Sequence, residues 1–193
     1  MTTVLQPSTE TVSSLGRALS DLGLAGLLGG QLFGRIALHP AVTAISEPRE
    51  RGEVVNAAWK RYGAVNGAGL AAVTAGWIGA RQGEVRDRNL VGRERALARA
   101  KDGLVGALVV TGVASAIEGI RFSREEPHGA VPLDDGDHAA AEASQAARQR
   151  KRRLNILGAA TIATEVGIVT VNAALSQVSF RRSPVRRRLN RFR

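Results

Sequence analysis

The chain has 193 residues, with 27 lysines and arginines against 17 acids, a net charge of +10 and no cysteine. The missing cysteine excludes a disulfide framework and any thiolate ligand or nucleophile, and the length allows one ordinary domain or one small membrane bundle. Hydrophobic residues make up 44%, near a soluble average, so their arrangement carries the information rather than their amount.

The opening stretch "MTTVLQPSTETVSSLGRALSDLG" lacks the basic start and compact apolar run of a cleaved signal. Residues 1–18 are therefore expected to form an N-terminal cytoplasmic segment, with the first apolar helix acting as its own insertion signal. Four intervals nearly free of charge follow. Leu22 to Ser46 holds only Arg35, Tyr62 to Ala80 holds none, Gly103 to Ile120 holds only Glu118, and Leu154 to Phe180 holds only Glu165. Each is about as long as a helix must be to cross a hydrocarbon core of about 30 Å. The expected fold is all-α: a four-transmembrane-helix bundle over residues 19–180, with spans near 20–41, 58–80, 103–121 and 154–179. A soluble bundle would show polar residues every three or four positions on its outward faces. Tyr62 to Ala80 offers only Asn66 and Thr74, and Gly103 to Ile117 only Thr111 and Ser115.

In the first span Gln31, Arg35 and His39 are spaced by four and share one helix face, while Gly26, Gly30 and Gly34 form a glycine ridge on another. A central arginine costs about 2.5 to 3.5 kcal/mol on insertion scales, so Arg35 is expected to face the bundle interior or snorkel. His39-Pro40 is expected to end the helix at the interface. The second span repeats the packing chemistry with Gly63, Gly67 and Gly76.

"GLLGGQLFGRIALHPAV", followed by "WKRYGAVNGAGL", resembles the opening of small four-helix membrane proteins in the anthrone-oxygenase-like group. The resemblance covers about residues 19 to 80 and rests on Gly29, Gly30, His39, Pro40, Trp59, Lys60 and Tyr62. It implies the four-helix fold and, less directly, cofactor-independent oxygenation of a polycyclic phenol. The long loop after the third span and the arginine-rich tail stand outside that pattern.

The loop between the second and third spans carries seven bases between Arg81 and Lys101, and the tail carries seven more. With Arg17 they place fifteen bases on one side against eleven on the other, so both termini are expected in the cytoplasm of a bacterial plasma membrane. The run "RQRKRR" at 148–153 opposes that orientation. The outer loop from Arg121 to Arg153 begins acidic and is broken by Pro127, Pro132 and Gly136, so it reads as a mobile hairpin leading into a helix. Asp134, Asp135 and Asp137 lack the full calcium-loop spacing, and His39, His128 and His138 are scattered, so neither a metal nor a cofactor is expected.

On the fourth span Thr161, Glu165 and Asn172 share a face. Counting depth at 1.5 Å per residue from Leu22 and from Phe180 puts Arg35 and Glu165 within about 2 Å of one level, which suggests a structural ion pair. Glu118 suits His39 or Arg121. The tail "RRSPVRRRLNRFR", residues 181–193, with Arg181, Arg182, Arg186, Arg187, Arg188, Arg191 and Arg193, is expected to meet anionic lipid headgroups. Lipid is favoured over nucleic acid because no recognition fold accompanies the tail. Packing motifs without a complete catalytic constellation point to a non-catalytic membrane component, a scaffold or accessory subunit packing against itself or other membrane proteins. A small membrane enzyme with Arg35, His39, Glu118 and Glu165 as catalytic candidates, and a proton or ion conduit, are the alternatives.

Overall fold

The computed structural model describes residues 9–83 and 85–180 of the chain, and these residues are helical with short connections. The long helices are α1 (Thr9–Phe33), α3 (Pro48–Gln82), α4 (Arg93–Ser123) and α5 (Gln145–Phe180), and a short α2 (His39–Ala41) extends α1. α1 packs most extensively on α3 and α4 on α5, giving two antiparallel hairpins that meet through α1 with α5 and α3 with α4. Two of the long helices, α4 and α5, are long and apolar enough to cross a membrane. The most apolar stretch of each is only 11% and 17% buried within the protein, so their hydrophobic surface faces outward.

α1 is already helical at Thr9, ahead of the interval expected to span, and the helical path does not stop at His39-Pro40. The turn Gly34–Leu38 is π-helical, with the His39 N–H bonded to the Gly34 carbonyl. Pro40 explains the widening: it has no N–H to donate, and its ring would press on the carbonyl four residues back in an α-helix. The path stays helical through α2 and a 3₁₀ turn at Val42–Ala44, and ends where Ile45 becomes extended. Pro48, whose fixed φ suits a first helical turn, then opens α3.

The close approach of α1 to α3 steps seven residues along each helix. A side chain on Gly76 would strike the Gly16 carbonyl, and one on Gly23 would strike the Gly69 carbonyl and Ala72. One step further, Gly30 lies under the Tyr62 ring. A seven-residue repeat of small residues keeps one face turned to its neighbour along a gently supercoiled pair. The expected ridge is therefore displaced. Gly30 and Gly34 receive the Tyr62 and Trp59 rings, while Gly26, Gly63 and Gly67 have open space where a side chain would go.

The segment between α4 and α5 is a folded cap. Val131 and Leu133 are fully buried, and together with Val42, Val55, Phe122 and Ala147 they form a second hydrophobic core at this end. Leu133 N–H donates to the Pro48 carbonyl, Asn56 donates to the Gly129 carbonyl, and Gly52 lies directly under Val131. The Arg51 guanidinium gathers four carbonyls, those of Ile45, Ser46, Leu133 and Asp134. The expected mobile hairpin is thus corrected: prolines and glycines broke the helix, but apolar residues between them anchor the segment. The opposite end, hereafter the far end, is closed by salt bridges from Arg81 to Asp87 at 2.9 Å and to Asp102 at 3.0 Å.

Candidate functional site

Three polar groups interrupt the apolar interior, one at the cap end, one midway and one at the far end. At the cap end, His39 is buried with both ring nitrogens engaged. Its Nδ1 lies 3.0 Å from Asp137 Oδ1, and the Trp59 indole N–H donates to its Nε2 at 3.1 Å. An indole nitrogen only donates, so Nε2 must accept and Nδ1 must carry the proton given to Asp137. The cap backbone fits closely here. Gly136 donates its N–H to the His39 carbonyl at 3.0 Å, and the His39 side chain fills the space a side chain at 136 would need.

α5 completes this cluster. Asn155 donates to the Asp137 carbonyl at 2.7 Å, Arg35 donates to the Asn155 carbonyl at 3.4 Å, and buried Lys151 adds its charge beside Asp137. Nearby, Glu118 pairs with Arg121 at 3.0 Å and with Arg150 at 3.3 Å, and Arg150 also binds Glu125. Glu118 thus meets Arg121, one of its two expected partners, and not His39.

Midway along α5, Glu165 is fully buried and neither carboxylate oxygen has a hydrogen-bond partner among the described residues. The expected Arg35–Glu165 ion pair does not form. The register of α1 against α5 gives the reason. Asp21 accepts from Asn172 at 2.8 Å, and Arg35 lies against Gly158. On that register Glu165 stands level with Leu28, seven residues from Arg35 and roughly 10 Å away along the axis. Depth counting assumed that Leu22 and Phe180 mark one plane, whereas α5 runs well past that level of α1. On the same face of α5, the Thr161 hydroxyl donates to the Leu157 carbonyl. Tyr62 on α3 donates its hydroxyl to the Gly26 carbonyl.

At the far end the Trp77 indole donates to Asp102 at 2.8 Å, and the Lys101 ammonium sits 4.1 Å above the Trp77 ring. Each of these two ends therefore has a tryptophan N–H held by a polar group. Among the described residues no group of three metal-ligating side chains forms. Asp135 instead bonds the His138 ring at 2.9 Å and holds that histidine above its ordinary value. The seven tail arginines lie outside the described residues.

Of the sequence candidates, Arg35 and His39 thus belong to one cluster at the cap end, Glu118 to a neighbouring salt-bridge group, and Glu165 to neither. The residues that complete the His39 cluster, Asp137, Lys151 and Asn155, were not singled out for it. Asp137 is 98 positions from His39, and Asn155 joins through its backbone carbonyl and its side chain at once. Trp59 carried a signal, since it and Tyr62 stand three apart and so share a face of α3. No protein-family model, no curated protein and no solved structure matches the chain.

Proposed function

We propose that the chain is a non-catalytic integral membrane component, a scaffold or accessory subunit. In this reading all four long helices cross a bacterial plasma membrane with both termini in the cytoplasm, and the arginine tail rests on anionic lipid headgroups. The observation that carries it is the outward apolar surface. Leu22, Phe33, Ile36, Val110 and Ile156 are each more than 60% exposed, and they come from α1, the π-turn that follows it, α4 and α5. A water-facing bundle would bear a large penalty for that surface, whereas lipid or a partner helix would cover it. Polar networks at the two ends and an apolar girdle between them suit a bilayer.

A second reading is a small membrane enzyme, as the resemblance to the anthrone-oxygenase-like group implies. The His39–Asp137 bond at 3.0 Å favours it, because a carboxylate that orients an imidazole is a general-base arrangement. Against it, Trp59 already occupies the nitrogen that would take a proton.

Alkaline extraction of cell membranes tests the membrane assignment, and release of the chain into the aqueous fraction would refute it. Reporter fusions at the C-terminus and at Gly136 should report opposite sides, with the C-terminus inside. Gentle purification then separates the two functional readings. A scaffold elutes with a stoichiometric partner or as its own oligomer, and an enzyme consumes a polycyclic phenol in purified form.

A further inference from the structure

The interior contains one ionisable group that no described contact uses. Glu165 is 0% exposed, and both of its oxygens lack hydrogen-bond partners among the described residues. Among the described residues no cation is placed to neutralise it, and the two α3 bases beside Tyr62, Lys60 and Arg61, are exposed. On α1, Arg35 is turned to the Asn155 carbonyl and Asp21 holds Asn172. On α3, Tyr62 is a neutral phenol bonded to Gly26. α4 carries no charge between Asp102 and Glu118, and Glu118 is bound to Arg121 and Arg150. α5 carries none between Arg153 and Arg181 other than Glu165 itself.

Two further buried oxygens without partners lie on the facing helices, Asn66 Oδ1 and Ser115 Oγ. Asn66 is one turn beyond Tyr62 on α3, and Ser115 is three residues beyond Gly112, which packs on Leu70 one turn further along α3. Among the described residues no hydrogen-bond donor meets either oxygen of Glu165. An unpaired carboxylate charge in such surroundings is prohibitively costly, and the group is expected to neutralise instead. A metal cation would need several gathered oxygens, and the Thr161 hydroxyl next along the helix is committed to Leu157. A proton needs only the carboxyl.

We propose that Glu165 is a proton-loading site in the bundle interior. One carboxylate oxygen takes a proton from hydronium, forming an O–H bond and leaving water, and returns it to water in the reverse step. This goes beyond the scaffold reading and does not depend on it, because protein alone encloses the side chain.

Infrared difference spectroscopy of the full chain in lipid nanodiscs tests the proposal. Wild type minus Glu165→Gln should show a protonated-carboxyl stretch at neutral pH. That band should shift when water is replaced by D2O and disappear reversibly as the medium is made alkaline. Glu165→Asp should keep a displaced band that behaves in the same way. The wild-type pH series alone suffices if Glu165→Gln misfolds, because the band can be followed without subtraction of the variant. A wild-type spectrum with only carboxylate at neutral pH would overturn the proposal, since the group is then charged. A protonated band inert to both D2O and alkali would overturn it equally, since the carboxyl is then a fixed structural acid.

Discussion

Trp59 donates its indole N–H to Nε2 of His39 at 3.1 Å, while Nδ1 of the same ring gives its proton to Asp137 at 3.0 Å. One neutral histidine tautomer thus ties α3, the end of the first helix and the cap together. His39→Leu strands a buried donor and a carboxylate, and removing a partner from a buried polar group costs about 1–3 kcal/mol. His39→Gln offers both a donor and an acceptor and is expected to recover part of that loss. Thermal unfolding in detergent should rank the proteins wild type, Gln, then Leu. Protonating the second ring nitrogen would also set it against the Trp59 N–H. Acidification is therefore expected to change the Trp59 fluorescence, and the change should be missing in Trp59→Phe, which keeps only Trp77.

The glycines divide into two sets with opposite expected behaviour. Gly23 and Gly76 sit where a side chain would meet backbone oxygen of the opposite helix, so Gly23→Val and Gly76→Val must push α1 from α3. Overpacking of this kind costs typically about 1–3 kcal/mol. Gly63 and Gly67 have open space, so Gly63→Ala and Gly67→Ala should be neutral or should gain up to about 1 kcal/mol of helix propensity. Chemical unfolding of the four variants in mild detergent checks the division. Equal losses in both sets would mean that the outward glycines pack on something else.

The helices were legible in the sequence because each carries a long charge-poor interval, and the glycines showed that α1 and α3 approach closely. Which glycines touch was not legible. Spacing by four and by seven coexist in α1, and only the pairing with α3 selects Gly16 and Gly23 over Gly26. The π-turn escaped for a related reason. Pro40 announced a break, but whether a helix stops or widens at a proline depends on what receives the next turn, here the cap and α3. The cap itself was hidden because its large anchors, Val131 and Leu133, are only two residues among the acids, prolines and alanines of the loop. Their burial depends on Pro48 and Gly52, far away in the chain.

The cap also carries a titratable clasp. Asp135 accepts from the His138 ring and from the backbone N–H groups of Asp137 and His138. Its hydrogen bond to Asp135 raises the His138 value above the ordinary 6.5. A raised histidine contributes its stabilisation fully below the unfolded value and loses it as pH rises through the folded one. Amide exchange at 137 and 138, corrected for intrinsic rates, should therefore quicken as pH rises across that window. His138→Ala should abolish the pH dependence, and exchange protection that instead rises with pH would refute the clasp.

Arg35 and Glu165 provide the last test, because partners and strangers respond differently to double substitution. Breaking a buried ion pair from one side leaves an uncompensated charge, costing about 3–5 kcal/mol, and removing the second partner restores much of it. Here Arg35 is turned to the Asn155 carbonyl, and Glu165 has no hydrogen-bond partner among the described residues. The two substitutions should then act independently, with the effects of Arg35→Leu and Glu165→Leu adding to within about 0.5 kcal/mol in the double variant. Their signs should also differ. Arg35→Leu removes a donor from the His39 cluster and should destabilise. Glu165→Leu removes a buried polar group that holds nothing in place, so it should be neutral or stabilising. Unfolding of the two single variants and the double variant in the same detergent decides the matter. A double variant much more stable than the sum of the singles would mean that the two side chains meet after all.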